Sequence, residues 1–189
     1  MGLVINHSKK FGFVHIPKTG GTSITHILKK INGTEGIAIH DSTRLLTNVD
    51  DYFIFTFVRN PFTRLTSSYF HVCRQEGFVS FGDFIKNINL KDMWYFPQSY
   101  YINSSRENDN KISFIGKYEN FTNDVNYVLK TIGFKYPIPH LNRHPLYEKH
   151  PNLKQQNYYK YIYTEEWMKD WVRERYENDF KIFNYELDF

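Results

Sequence analysis

Strands alternating with helices predict a single α/β domain over residues 1–189, with a central parallel sheet flanked by helices. Three observations predict it. The segment Phe11–Ile16 is a short apolar run that leads through a glycine turn into an amphipathic stretch, a P-loop-like opening of strand, loop and helix. Tyr52-Phe53-Ile54-Phe55-Thr56-Phe57-Val58 is apolar on both faces, as an interior parallel strand requires. The chain also has 41% hydrophobic and 23% charged residues, the balance of a soluble globular protein with room for one sizeable core.

Taken in order, Phe11-Gly12-Phe13-Val14-His15-Ile16 reads as a buried strand, and Pro17-Lys18-Thr19-Gly20-Gly21 as the turn after it. In the next segment Ile24, Ile27, Leu28 and Ile31 recur at helical spacing, and Asn32-Gly33 is a stop signal. Residues 52–58 then form the strongest strand, placed centrally in the sheet. Asn60 caps a second helix, with Pro61 at the first helical position, where its missing N–H costs nothing. Phe62, Leu65, Tyr69 and Val72 form that helix's buried stripe. Ile112–Ile115 is a further strand, and Thr122 is expected to cap a helix whose apolar face is Val125, Val128, Leu129 and Ile132. Four prolines between residues 134 and 157 predict an extended loop. Thr164-Glu165-Glu166 starts a last helix that carries Trp167, Trp171 and Val172 toward the core.

Composition narrows the function classes. Aromatic residues reach 19%, which supplies large buried areas and tyrosine hydroxyls able to line a polar cleft. A single cysteine, Cys73, excludes an intramolecular disulfide and a cysteine-based zinc site. No stretch of about 18 apolar residues suits a membrane span, and the N-terminus lacks the apolar run of a signal peptide, so a cytoplasmic protein is expected. Net charge is +4, and its excess lies in the first half: residues 1–94 carry 11 basic and 7 acidic side chains, residues 95–189 carry 13 of each. That asymmetry points to an anionic ligand held by the first half. No block of like charges marks a nucleic-acid tail.

Lys18-Thr19-Gly20-Gly21-Thr22-Ser23, between a strand and a helix, is built to hold an oxyanion. Glycines let the backbone approach closely, the helix N-terminus supplies N–H groups and dipole, and Lys18 and the hydroxyls add charge and donors. The lysine precedes both glycines, which is not the Walker A order, so nucleoside triphosphate hydrolysis is disfavoured. A second constellation runs from Val58 to Tyr69, where Arg59 leaves the strand end just before a helix and Ser67 follows eight residues on.

Together these segments resemble known motifs. Val14 through Ser23 resembles the loop that binds the 5′-phosphosulfate in sulfotransferases using 3′-phosphoadenosine 5′-phosphosulfate (PAPS), and Phe57 through Tyr69 resembles their 3′-phosphate-binding motif. The look is that of the carbohydrate sulfotransferases, in the heparan sulfate 2-O-sulfotransferase and chondroitin sulfotransferase groups. Phe114–Asn120, Pro139–Asn142 and Tyr176–Tyr185 also resemble that family. The resemblance implies that Lys18 contacts the sulfate and bridging oxygen, that Thr19, Gly20, Gly21, Thr22 and Ser23 hold the 5′-phosphate, and that Arg59 and Ser67 hold the 3′-phosphate. It also implies a histidine general base between the two motifs. His40 occupies that position, although a histidine after a short strand can equally cap a turn. The chemistry agrees: an imidazole accepts a hydroxyl proton near neutrality, and Lys18 can stabilise the leaving phosphate oxygen. No metal is needed for such an in-line transfer. The short chain, without a membrane anchor or disulfides, departs from the Golgi enzymes of that family and counts against a polymeric glycosaminoglycan, leaving a smaller glycan, glycolipid or other hydroxylated metabolite open as acceptor.

The remaining candidates read as structural. His15 alternates with Phe13 on one strand face and is expected to be a hydrogen-bonded core residue, as is His71 on its helix. Arg64 is expected to be structural and Cys73 packed and inert. His140, His144 and His150 lie among prolines with no acidic or cysteine partner patterned around them, so no zinc site is expected. Asn142 and Arg143 stand in the same loop. Trp94, Tyr95, Tyr100 and Tyr101 could stack on an acceptor sugar or pack in the core. Two other readings stay open: a P-loop-type kinase, which needs ATP and Mg²⁺, and a non-catalytic nucleotide- or anion-binding module, which would show salt-steep binding without turnover.

Overall fold

A computed structural model describes residues 2–37, 49–77, 79–103, 112–139 and 161–188. The chain divides into two compact units, Met1–Arg59 with Gln98–Leu141 and Asn60–Pro97 with Asn142–Phe189.

The first unit holds the sheet. Its strands are β1 (Leu3–Asn6), β2 (Phe11–Val14), β3 (Thr34–Ile37), β4 (Phe53–Val58) and β5 (Phe114–Lys117), and they pair in the order β3-β1-β2-β4-β5. The α/β class and the parallel core are as expected, since β2, β4 and β5 run parallel. The sheet is nevertheless mixed: β1 lies antiparallel to both β2 and β3. The cause is chain length. Only His7–Lys10 joins β1 to β2, enough for a hairpin and far too little for a parallel crossover. The central strand is therefore β2, with β4 beside it. Two helices of this unit, α1 (Gly21–Leu28) and α5 (Phe121–Thr131), share a core with one sheet face, in which Phe13, Phe55 and Phe57 meet Ile24, Ile27, Val125 and Val128. Gly116 in β5 is required there, because a Cβ at that position would come 2.6 Å from the Phe57 ring.

Element boundaries differ from the sequence expectation at several places: β2 ends at Val14 rather than Ile16, β4 begins at Phe53 rather than Tyr52, and α1 ends at Leu28 rather than Ile31. β5 begins at Phe114 rather than Ile112. The helix expected to start at a Thr122 cap starts instead at Phe121, after a 3₁₀ turn over Tyr118–Asn120. A short helix, α4 (Gln98–Asn103), completes the unit's helical elements among the described residues.

The second unit is helical where described. It contains α2 (Pro61–Glu76), α3 (Phe81–Asn87), α6 (Glu166–Arg175) and α7 (Glu177–Ile182). Asn60 caps α2 as expected, its side chain accepting from the Phe62 N–H at 3.0 Å with Pro61 in the first turn. Its stripe is buried at Phe62, Leu65 and Tyr69, while Val72 is half-buried. In α6 the fully buried residues are Met168 and Val172, with Trp167 and Trp171 packed around that core.

Candidate functional site

The site begins where β2 ends. After Val14 the chain passes through His15 and Ile16 into a loop whose backbone is left-handed at Lys18 (φ 69) and at Gly20 (φ 88). Gly20 precedes α1 with no side-chain cap. These left-handed residues turn the backbone sharply enough for peptide N–H groups to face one concavity, the arrangement that binds anions in backbone nests. Glycine is needed at both positions of the pair. A Cβ on Gly20 would lie 2.6 Å from the Phe121 ring, and one on Gly21 would lie 2.0 Å from the His15 ring.

Within the loop the hydroxyls have different duties. Thr19 is fully buried and donates its Oγ1 hydrogen to the Ile16 carbonyl at 2.9 Å, so its side chain pins the turn. That leaves its backbone, not its hydroxyl, to face the loop's concavity. Thr22 is exposed and Ser23 is buried in the first turn of α1. The Ser23 and Ile24 N–H groups already donate to the Gly20 carbonyl at 3.1 and 3.4 Å. The N–H groups of Gly21 and Thr22 are the first-turn donors that an α-helix leaves without an internal acceptor.

Arg59 comes from the end of β4, next to β2 in the sheet, and is 9% exposed. Gln98, Tyr118 and Lys18 hold it. Its backbone N–H donates to Gln98 Oε1 at 2.8 Å, and Gln98 Nε2 returns a bond to the Arg59 carbonyl at 2.8 Å. Gln98 is fully buried and so continues the hydrogen-bond ladder beyond the strand end with its own amide. The guanidinium lies 4.1 Å above the Tyr118 ring, and Nη1 donates to the Lys18 carbonyl at 3.3 Å. Two motifs 41 residues apart in sequence are thus in direct contact. Thr56 ties the same strands from below, donating to the Val14 carbonyl at 2.8 Å.

Along the sequence, charge around this loop is one-sided. Residues 1–34 contain five lysines and no carboxylate. Burial pushes the His15 pKa down to about 4, so its imidazole is neutral at physiological pH. His15 is buried as expected and stacks on Phe13, ring centroids 5.6 Å apart. The expected side-chain hydrogen bond is not formed.

A family comparison decides what this loop belongs to: the model of the sulfotransferase family matches residues 1–186. The chain belongs to the sulfotransferase family. Family membership makes it a transferase of sulfuryl groups, and the family generally draws them from PAPS. Among curated proteins, this sulfotransferase is 37% identical over 86 residues to an uncharacterized protein of Archaeoglobus fulgidus, a match covering 44% of this chain and 70% of that protein. No solved structure matches it.

The other expected residues of this sulfotransferase fall in different places. Ser67 stands half-buried on α2 in the second unit. His40 lies outside the described residues, as do His140, Asn142, Arg143, His144 and His150. Arg64 is structural: it is 3% exposed, and its two terminal nitrogens donate to the Phe96 and Trp94 carbonyls at 2.9 and 3.1 Å. Cys73 is half-buried against the second unit's core. His71 stacks on Trp94 at 4.7 Å. Tyr95 and Tyr101 are buried, while Tyr100 is exposed. Burial also pushes the Tyr95 hydroxyl up to about 12. Among the described residues no group of three or more His, Cys, Asp or Glu is placed to hold a metal ion, and no helix is long and apolar enough to cross a membrane. Sequence reasoning missed Gln98 and Tyr118 as the residues that hold Arg59. The family-like run Gly116-Lys117-Tyr118 was the only signal near either of them.

Proposed function

We propose that this sulfotransferase moves the sulfuryl group of PAPS to a hydroxyl of a carbohydrate or glycoconjugate, in the manner of the heparan sulfate 2-O-sulfotransferase branch, and that residues 1–189 act as one catalytic domain. The observation that supports the donor site most is the bond from Arg59 Nη1 to the Lys18 carbonyl, which puts a buried guanidinium beside the anion loop. The donor set also fits a phosphosulfate: left-handed backbone at Lys18 and Gly20, first-turn N–H groups at Gly21 and Thr22, and no acidic residue up to Thr34. In this reading Lys18 lies on the sulfuryl and bridging oxygen, Thr19 through Ser23 hold the 5′-phosphate, and Arg59 with Ser67 holds the 3′-phosphate. Lone Cys73 supports a reducing, cytoplasmic setting.

The chemistry is a single displacement. His40 accepts the acceptor hydroxyl's proton as the oxygen bonds to sulfur, and the bond between sulfur and the bridging oxygen breaks. Negative charge then grows on the leaving 3′-phosphoadenosine 5′-phosphate, where Lys18 stabilises it. The proton rests on His40 until solvent removes it. The step is tested with PAPS labelled at sulfur and a panel of glycan oligosaccharides beside simple phenols. Label transfer to a glycan is expected, with Lys18→Ala slowing it by roughly 10²-fold or more and His40→Asn by about 10²–10⁴-fold. Full transfer by Lys18→Ala, or label appearing only on phenols, would contradict the reading.

A further inference from the structure

We propose that His15 is an additional oxyanion-binding residue of the donor site, its imidazole donating a ring N–H to the phosphosulfate oxygen held at the first turn of α1. The inference rests on the donor-site reading above and adds a residue to it. His15 is 9% exposed, and its backbone N–H is already spent on the Gly2 carbonyl at 3.1 Å. Its ring makes no hydrogen bond. Among the described residues the fully buried side-chain atoms without a partner are Thr25 Oγ1 and Arg175 Nε, so the little exposure that His15 keeps includes its ring nitrogens. A core filler stacked on Phe13 needs no nitrogen at all, and phenylalanine or leucine would serve.

The ring's position supplies the reason for the nitrogen. A Cβ on Gly21 would stand 2.0 Å from His15 Cδ2 and 2.0 Å from Nε2, so the imidazole occupies the space that a side chain would take at the first helical position. Side chains on a helix lean toward its N-terminus. The imidazole therefore sits at the end of α1 where the Gly21 and Thr22 N–H groups lack internal acceptors. Glycine at 21 and histidine at 15 form one unit: the first makes room and the second fills it with a donor.

The surrounding charges suit a neutral donor. β2 and the first turn of α1 carry no titratable side chain, and Lys18 is the charged residue of the loop between them. Arg59 reaches that loop at the Lys18 carbonyl. Burial holds the imidazole neutral, with one N–H to give. A multiply charged anion against the ring reverses the balance and raises its pKa.

The test follows the His15 ring by NMR in the whole protein, its signals assigned by their loss in His15→Phe, with and without 3′-phosphoadenosine 5′-phosphate. Without the nucleotide the ring should titrate near pH 4; with it the midpoint should rise by roughly one unit or more. His15→Phe keeps an aromatic ring against Phe13 and should weaken nucleotide binding about tenfold with little change in thermal midpoint, and His15→Gln, which restores a donor, should recover most of that loss. If the wild type binds the nucleotide but the ring's titration stays where it was, or if His15→Phe binds as the wild type does, His15 is only packing and the inference falls while the donor site stands. If the wild type does not bind at all, both fall. Should His15→Phe fail to fold, His15→Gln supplies the assignment, and the shift in the wild type decides the matter.

Discussion

In the first unit most of the buried polar side chains, Asn6 at the end of β1 apart, gather where β2 and β4 end, whereas in the second they are scattered through an aromatic core. His15, Thr19, Arg59 and Gln98 all lie within a few residues of a strand's carboxyl end or reach back to one. In the second unit Tyr69, Tyr163 and Tyr176 are embedded among Phe62, Phe81, Phe84 and Phe180, and each hydroxyl donates to a main-chain carbonyl: Val79 at 2.8 Å, Phe62 at 3.0 Å and Tyr95 at 3.2 Å. Two of those bonds join residues 101 and 81 positions apart. Arg64 does the same with two carbonyls. Buried polarity in the first unit surrounds the loop proposed to hold the donor, while in the second it ties distant segments together. Substitutions of these buried polar residues should accordingly separate, with nucleotide binding responding at His15 and Arg59 and stability responding at Arg64 and the buried tyrosines.

The largest stability effect sits in the first unit and depends on pH. Unfolded, His15 takes up a proton as pH falls through 6.5; folded, it stays neutral until about 4. The unfolded state binds more protons across that window, so the stability contribution is complete above it and is lost progressively on acidification, by about 3 kcal/mol in all. Urea unfolding between pH 7 and 4.5 should show this decline, and His15→Phe should flatten it. An equal decline in the variant would assign the acid sensitivity elsewhere.

Arg64→Ala tests the contrast from the other side. It leaves two buried carbonyls without their donor and should cost about 2 kcal/mol in chemical denaturation, with nucleotide affinity unchanged by calorimetry. A loss of affinity as large as the loss of stability would erase the distinction between the units. The smallest effect belongs to Tyr163→Phe, which removes one buried hydroxyl bonded to the Phe62 carbonyl. It should lower stability by about 1 kcal/mol and leave binding alone.

How far the sequence announced this structure follows from how local each feature is. The loop from Lys18 to Ser23 and the Asn60-Pro61 helix start are written in contiguous residues whose backbone preferences act within a few positions, and both were legible. So was the strand over residues 53–58, which is long and apolar on both faces. β1 escaped notice because four residues carry too little periodicity to separate a strand from a tail, while β3 was legible only as the short strand before His40. β5 was displaced by two residues because Gly116 and Lys117 have poor strand propensity, and the glycine earns its place only through Phe57, a residue far away in sequence. Gln98 could not be read at all: its amide pairs with Arg59 across 39 residues, and nothing near either residue signals it. Sequence reasoning thus singled out the residues proposed to face a ligand and missed Gln98 and Tyr118, which hold Arg59 in place.

The central claim is that the loop after β2 and the arginine after β4 form one nucleotide site for a sulfuryl donor. Calorimetric titration with 3′-phosphoadenosine 5′-phosphate and, separately, with ATP tests it most directly, on the wild type and on Arg59→Ala. The account predicts tight binding of the first nucleotide, much weaker binding of ATP, and a loss of roughly 100-fold in the variant, the effect of removing a charge-assisted contact to phosphate. Equal affinity for the two nucleotides, or an Arg59→Ala variant that binds as well as the wild type, would contradict it.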